Sequence, residues 1–243
     1  MDKINKENLD FWNERLKEFS LPEILKLVLI NSFEGKVVFS TSFGIEDQVL
    51  IHYLNPYSKQ IEAFTLDTGR QFNETYEVFQ KTQSKYHNLK IKTYYPDEKD
   101  VQEYYQKSGV NGFYNSVEDR KSCCFIRKVK PLHRALSDVN LWITGLRAEQ
   151  SPNREKMQFL EWDEQYNLIK FNPLLNYTLE SLESEVEKNN IPLNSLYKKG
   201  FLSIGCQPCT RALLPGENFR DGRWWWENGK KECGLHIQSN INN

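Results

Sequence analysis

A chain of 243 residues with a net charge of -1, 39% of it hydrophobic and 27% charged, has enough apolar material for a core, and neither the composition of a disordered chain nor that of a globally basic nucleic-acid binder. No apolar run approaches the length that spans a bilayer, and the start, Met1-Asp2-Lys3-Ile4-Asn5-Lys6-Glu7, lacks a hydrophobic stretch behind a basic one, so no membrane association is expected and the chain reads as cytoplasmic. In a reducing compartment its five cysteines point to metal binding or thiol chemistry rather than to structural disulfides.

Leu9, Trp12, Leu16 and Phe19 recur at helical spacing, and Ser20-Leu21-Pro22-Glu23 offers a capping box for a second helix over residues 24–30. From Lys36 the pattern changes to short apolar runs, each followed by a polar loop and a longer amphipathic stretch. Val37-Val38-Phe39 precedes a helix over 45–54, and a strand over 61–66 precedes a helix over 72–86. Residues 89–95 read as a third strand, and Leu141-Trp142-Ile143-Thr144 as a fourth after a helix ending near Leu136. Alternation of this kind implies an α/β fold, a mostly parallel sheet flanked by helices. Beyond Arg154 the pattern thins to a strand or hairpin over 162–171 and a helix over 179–186. The expected division is an N-terminal helical segment over 1–35, an α/β domain over 36–200, and a C-terminal tail over 201–243 with little regular period.

In parallel sheets ligands bind beyond the carboxyl ends of the strands. Three strand-end loops here are chemically distinctive: Ser40-Thr41-Ser42-Phe43-Gly44, Asp67-Thr68-Gly69-Arg70, and Gly145-Leu146-Arg147. Helix N-termini behind loops of small and hydroxyl residues present N–H groups that suit an anion, and Arg147 adds a full charge. A phosphorylated small molecule is the ligand this predicts.

The cysteines fall into three places: the adjacent pair Cys123-Cys124, the pair Cys206-x-x-Cys209, and Cys233 in Glu232-Cys233-Gly234-Leu235-His236. Four thiolates can hold zinc or an iron–sulfur cluster, and the second pair has ligand spacing suited to either. Adjacent side chains diverge, which strains a tetrahedral zinc site, whereas a cubane spreads its irons over a larger volume; iron–sulfur therefore stands ahead of zinc. The bland alternative is a redox pair with two unrelated buried cysteines. Between Arg120 and Arg134 lie six basic residues, Lys128 among them, and no acidic one. Most such runs are solvated helix faces, but this one flanks candidate ligands and is expected to face a negatively charged cluster or substrate. Cys233 is left over as a candidate nucleophile, with Arg220, Arg223 and His236 as the cations that would lower its pKa.

Read together, Ser40-Thr41-Ser42-Phe43-Gly44-Ile45-Glu46-Asp47, Leu66-Asp67-Thr68-Gly69, Cys123-Cys124, Gly145-Leu146-Arg147 with Gln150-Ser151, Cys206-x-x-Cys209, Arg223-Trp224-Trp225-Trp226 and Glu232-Cys233-Gly234-Leu235-His236 resemble the assimilatory adenylyl-sulfate reductases. These belong with the phosphoadenylyl-sulfate reductases in the adenine nucleotide alpha hydrolase-like group. The resemblance implies reduction of adenosine 5'-phosphosulfate to sulfite and AMP, with thioredoxin or glutaredoxin supplying electrons. It places one 4Fe-4S cluster on Cys123, Cys124, Cys206 and Cys209, and the nucleophile on Cys233. It also implies that Ser40 to Gly44 cradle the phosphate end of a nucleotide and that Leu66 to Gly69 meet adenine or ribose. Lys128, Arg220, Arg223 and His236 would then meet the phosphosulfate. Relatives are dimers or tetramers, so a homo-oligomer is expected. Possession of all four cysteine ligands favours the substrate without a 3'-phosphate; the 3'-phosphorylated substrate, an ATP-dependent thiolation enzyme and a zinc-stapled nucleotide-binding module are the competing readings.

Overall fold

The computed structural model describes residues 3–150, 154 and 156–227. Two compact units interleave along the chain, one from Met1–Phe64, Glu77–Lys92 and Asp138–Asn194, the other from Thr65–Tyr76, Thr93–Ser137 and Ser195–Asn243, each taken over its described residues.

The first unit begins with α1 (Leu9–Leu16), whose Leu9, Trp12 and Leu16 share one face and are buried. Burial of each such side chain contributes about 1.5–3 kcal/mol. α2 (Leu21–Lys26) opens on the predicted capping box, with the Ser20 N–H donating to Glu23 at 2.9 Å. It continues into a wider π-type turn over Leu27–Ser32, which carries the apolar pattern past the end of the α-helix. β1 (Val37–Thr41), α3 (Ile45–Leu54), β2 (Ile61–Leu66), α4 (Asn73–Lys85) and β3 (Ile91–Tyr94) follow in the expected order. β4 (Leu141–Ile143) is flat apolar sequence buried along its whole length, as a central parallel strand requires.

The segment over 162–171 resolves as a hairpin, β5 (Leu160–Asp163) pairing antiparallel with β6 (Leu168–Phe171). The last helix of this unit, Leu179–Lys188, begins at Thr178, whose side chain accepts from the Ser181 N–H. The six strands stand in the order β3-β2-β1-β4-β6-β5, with β1 and β4 parallel and β4 and β6 parallel. The chain steps outward from β1 through β2 to β3, then resumes on the other side of β1 with β4. The direction of travel therefore reverses between β1 and β4, which makes the carboxyl ends of those two strands the topological switch point where a ligand crevice opens.

The second unit is largely helical. It contains α5 (Glu98–Ser108), α6 (Val117–Cys124), a π-type turn over Phe125–Val129, and α7 (Lys130–Ala135). Sequence reading expected only the last of these helices. α5 did have a start signal, since Asp97 follows Pro96 and its side chain accepts from the Lys99 N–H at 3.0 Å. Among the described residues no helix is long and apolar enough to cross a membrane.

Candidate functional site

The four cysteines expected to act together are together. Cys123 and Cys124 end α6, Cys206 caps and Cys209 ends a single 3-10 turn over Gln207–Cys209, and all four line one pocket of the second unit. Pro208 inside the turn fixes its backbone, and the Cys209 N–H closes back on the Cys206 carbonyl at 3.0 Å. Both Cys206 and Cys209 thus face the same way from a short loop that could otherwise have splayed them.

The basic run around Cys123-Cys124 divides by helical position. Arg120 and Arg127 lie three or four residues to either side of the pair, on the face that carries it, and both are buried, while Lys121 is exposed and Lys130 forms a surface pair with Asp100 at 2.6 Å. Arg120 makes a bidentate pair with Glu227, both contacts at 2.9 Å, and its guanidinium lies 4.7 Å over the Trp224 ring. Arg127 donates to the Thr68 carbonyl at 2.6 Å and to the Tyr105 hydroxyl at 2.8 Å. Arg70 donates to the Val110 carbonyl at 2.5 Å and to the Asn111 side chain at 2.8 Å. Neutral oxygens therefore hold Arg70 and Arg127 in position and leave their charge in place. Lys128 lines the same pocket, as its position four residues beyond Cys124 predicts.

Burial pushes the Cys123 thiol up, with Arg127 opposing it, and pushes Cys209 up to about 12, with nearby Cys206 adding and Lys128 and Arg223 opposing. Sulfurs in this setting gain charge when a metal centre replaces their protons. The surroundings fit such a centre. Among the described residues, the Tyr104 hydroxyl, the Arg223 Nε and the indole N–H groups of Trp224 and Trp226 are buried without hydrogen-bond partners. Tyr104, Trp224 and Trp226 pack in the cluster that contains Cys123, Cys206 and Cys209. All four orphaned groups are donors, and sulfur ligands carrying negative charge are acceptors for them. Among the described residues no three His, Cys, Asp or Glu side chains converge on the position of a single metal ion.

Two sequence-predicted residues take places that the resemblance did not assign to them. Thr68, expected beside adenine or ribose, is buried with its hydroxyl 3.2 Å from the Cys206 sulfur. Arg223, expected on the phosphosulfate, is buried over Trp224 and packs so closely on Gly205 that a Cβ there would fall 2.3 Å from the guanidinium. Asp67 accepts from the Gly69 N–H at 2.8 Å and from Tyr76, and Gly69 takes the left-handed φ of +71° that this turn requires. Leu66 ends β2 half-buried and Arg220 is half-buried. Cys233 and His236 lie outside the described residues.

The remaining candidates gather at the switch point of the first unit. Ser40, at the end of β1, accepts from the Trp142 indole at 2.9 Å, and the Thr41 hydroxyl accepts from the Phe43 N–H at 3.0 Å. Phe43 has a left-handed φ of +61° and stacks on Phe79. The Ser42 N–H and hydroxyl both donate to Asp47, at 2.5 and 2.9 Å, and the Gly44 N–H reaches the same carboxylate. Gly145, in the loop after β4, approaches so closely that a Cβ would stand 2.4 Å from Asp47 Oδ1. Burial, with the neighbouring Glu46 charge adding, lifts the Asp47 carboxyl to about 6. Arg147 is not the open charge that its position predicted. It is 2% exposed and held by Glu46 at 3.0 Å, Glu149 at 2.5 Å and the Tyr177 carbonyl.

A largely parallel sheet with hydroxyl-rich loops at its switch point, together with a thiol-lined, cation-rimmed pocket, defines an α/β enzyme of the nucleotide-binding type. The chain belongs to the phosphoadenosine phosphosulfate reductase domain family, which it matches over residues 36–212. It is 48% identical over 226 residues to the adenosine 5'-phosphosulfate reductase of Rhizobium meliloti (strain 1021), covering 93% of this chain and 84% of that protein. It is 43% identical over 212 residues to the enzyme of the same name from Burkholderia cepacia, covering 87% and 84%. Its fold is similar to that of a crystal structure of phosphoadenylyl-sulfate reductase from Candida auris, with a TM-score of 0.72, 25% identity, and 85% of this chain and 97% of that one covered.

Proposed function

We propose that the chain reduces adenosine 5'-phosphosulfate to sulfite and AMP in the cytoplasm, using Cys233 as nucleophile and a thioredoxin or glutaredoxin as reductant. The observation that carries this reading is the pocket in which four cysteines, brought from two distant stretches of sequence, share a lining with Arg70, Arg120, Arg127 and Lys128. Relatives named for this activity, at 43–48% identity over most of the chain, agree with it.

Cys123, Cys124, Cys206 and Cys209 would hold a 4Fe-4S cluster, which supplies a structural tie and a fixed local charge. The chain's own residues do the rest. The Cys233 thiolate attacks the terminal sulfur of the phosphosulfate, the bond from that sulfur to the bridging oxygen breaks, and AMP departs with the electron pair. Lys128, Arg220 and His236 would balance the phosphosulfate charge, whereas Arg223, which the resemblance also offers, is buried over Trp224 and against Gly205. An S-sulfocysteine remains on Cys233. A thiolate of the reductant then attacks the Cys233 sulfur, sulfite leaves with the bonding pair, and the second thiol of the reductant closes its disulfide to return Cys233 as thiolate. Two electrons pass from the dithiol to the sulfur centre.

Incubating the full chain with adenosine phosphosulfate labelled at sulfur, in the absence of reductant, tests this directly. Label recovered on a peptide containing Cys233 and released as sulfite by thioredoxin is expected; label that persists in Cys233→Ser would sink the mechanism. A specific observation keeps a second reading in play, namely the fold likeness to a phosphoadenylyl-sulfate reductase, so the 3'-phosphorylated nucleotide belongs in every assay.

A further inference from the structure

The loop Ser40-Thr41-Ser42-Phe43-Gly44 has the residue types and the place of a phosphate cradle, at the carboxyl end of β1 and ahead of α3, a helix of ten residues. Its geometry is different from that of a cradle awaiting an anion. Three consecutive N–H groups already have acceptors inside the chain: Ser42 and Gly44 bond the Asp47 carboxylate, and Phe43 bonds the Thr41 hydroxyl. Asp47 is 8% exposed and no lysine, arginine or histidine pairs with it among the described residues. Its neighbour Glu46 does have a cation, Arg147, and that cation is shared with Glu149. What remains at the switch point is one carboxylate that accepts from two of these loop amides, pressed against Gly145 from the loop after β4.

A carboxylate so placed changes what the crevice can accept. Its oxygens take hydrogen bonds from neutral hydroxyls and repel a phosphate dianion, and in a crevice of low dielectric that repulsion is screened little. A switch point carrying this carboxylate therefore suits the uncharged nucleoside part of a nucleotide with free ribose hydroxyls. The Ser42, Phe43 and Gly44 N–H groups, which could have welcomed an additional phosphate, are occupied. Retaining a buried carboxylate without a cationic partner is unfavourable for the fold, which is expected where a charge serves binding rather than stability.

We propose that Asp47 is a specificity-determining residue: by seating the chain's own carboxylate on the amides of the β1 loop, it selects adenosine 5'-phosphosulfate over its 3'-phosphorylated counterpart. The inference rests on the reductase reading above and deepens it, since it assigns to one side chain of the first unit a choice that the cysteines alone do not make.

The test compares kcat/KM for the two nucleotides in the anaerobically purified full chain and in Asp47→Asn and Asp47→Ser. Both variants remove the charge, and Asn keeps an oxygen that can accept from Ser42. The ratio of the 3'-phosphorylated to the unphosphorylated substrate should rise at least tenfold in each. A ratio that stays within twofold of wild type in both overturns the inference while leaving the reductase reading intact. An enzyme that reduces neither nucleotide overturns the reductase reading itself. Binding to the wild-type chain gives a readout that needs no variant to fold: adenosine 3',5'-bisphosphate should bind at least tenfold more weakly than AMP, and equal affinities would also overturn the inference.

Discussion

The thiol pocket of the second unit and the β1 loop of the first unit treat negative charge in opposite ways. In the pocket, Arg70 and Arg127 are anchored by carbonyl, amide and phenol oxygens, so each is fixed in place with no carboxylate partner among the described residues. At the switch point, Arg147 is as deeply buried as any of them but is consumed by Glu46 and Glu149, and the loop amides are taken by Asp47. Whether a buried arginine marks an anion site therefore depends on what holds it. Neutral acceptors preserve its field, whereas carboxylates abolish it.

The most damaging change to the pocket side of this comparison is at the four cysteines proposed to hold a cluster. Cys206→Ser should lose bound iron and cooperative unfolding together, read by iron analysis and thermal denaturation of anaerobically prepared protein. Cys233→Ser should keep iron and visible absorption and lower sulfite release on the order of a thousandfold or more, which separates the nucleophile from the ligands.

Next in size is the Arg120–Glu227 pair, with side chains 3% and 8% exposed. Removing one partner leaves a buried charge, and Glu227→Gln should cost about 3–5 kcal/mol in chemical denaturation, with the Arg120→Met, Glu227→Leu double variant recovering much of it. Recovery would identify the pair as structural; no recovery would mean that Arg120 serves the thiols, to which it is also coupled through Cys124.

A smaller effect of distinctive sign belongs to the switch point. Folding holds Asp47 above its ordinary value of 3.8, at about 6, so its protonated form is favoured in the folded chain. The stability from that preference is complete below the ordinary value and is lost as pH rises through 6. Asp47→Asn should therefore be more stable than wild type by about 2–3 kcal/mol at pH 7 to 8, with the gap closing below pH 4, as measured by urea denaturation across pH. A wild type that outlasts the variant at pH 8 would mean that the Ser42 and Gly44 hydrogen bonds outweigh burial. The smallest effect is expected at Lys130–Asp100, a partly exposed pair whose removal should change stability by less than about 1 kcal/mol.

Much of this was legible from residue order. Short apolar runs, each followed by a polar loop and a longer stretch, located β1 to β4 and α3 because buried strands and their crossover helices concentrate apolar residues, and the Ser20/Glu23 box marked α2 because both halves of a cap lie within one turn. The pocket residues Arg120 and Arg127 were hidden inside a run of six basic residues. Their spacing around Cys123-Cys124 was a signal, but no local rule tells a cation held by a carbonyl from one lying in water. Asp47 stood inside a recognised motif with no role attached, because its contact with Ser42 spans five residues through a left-handed Phe43 that periodicity does not register.

By itself, then, the sequence determined the class of fold and singled out the two cysteine pairs that share a pocket, since these depend on the hydrophobic pattern and on cysteine spacing along the chain. Only the tertiary structure decided which charges remain available. That Arg147 is cancelled, that Arg127 is not, and that Asp47 fills the loop once expected to hold a phosphate are all facts about partners distant in sequence or turned by one unusual backbone angle. Electrostatic free energy depends on distance and dielectric in space, and neither is written in the order of the residues.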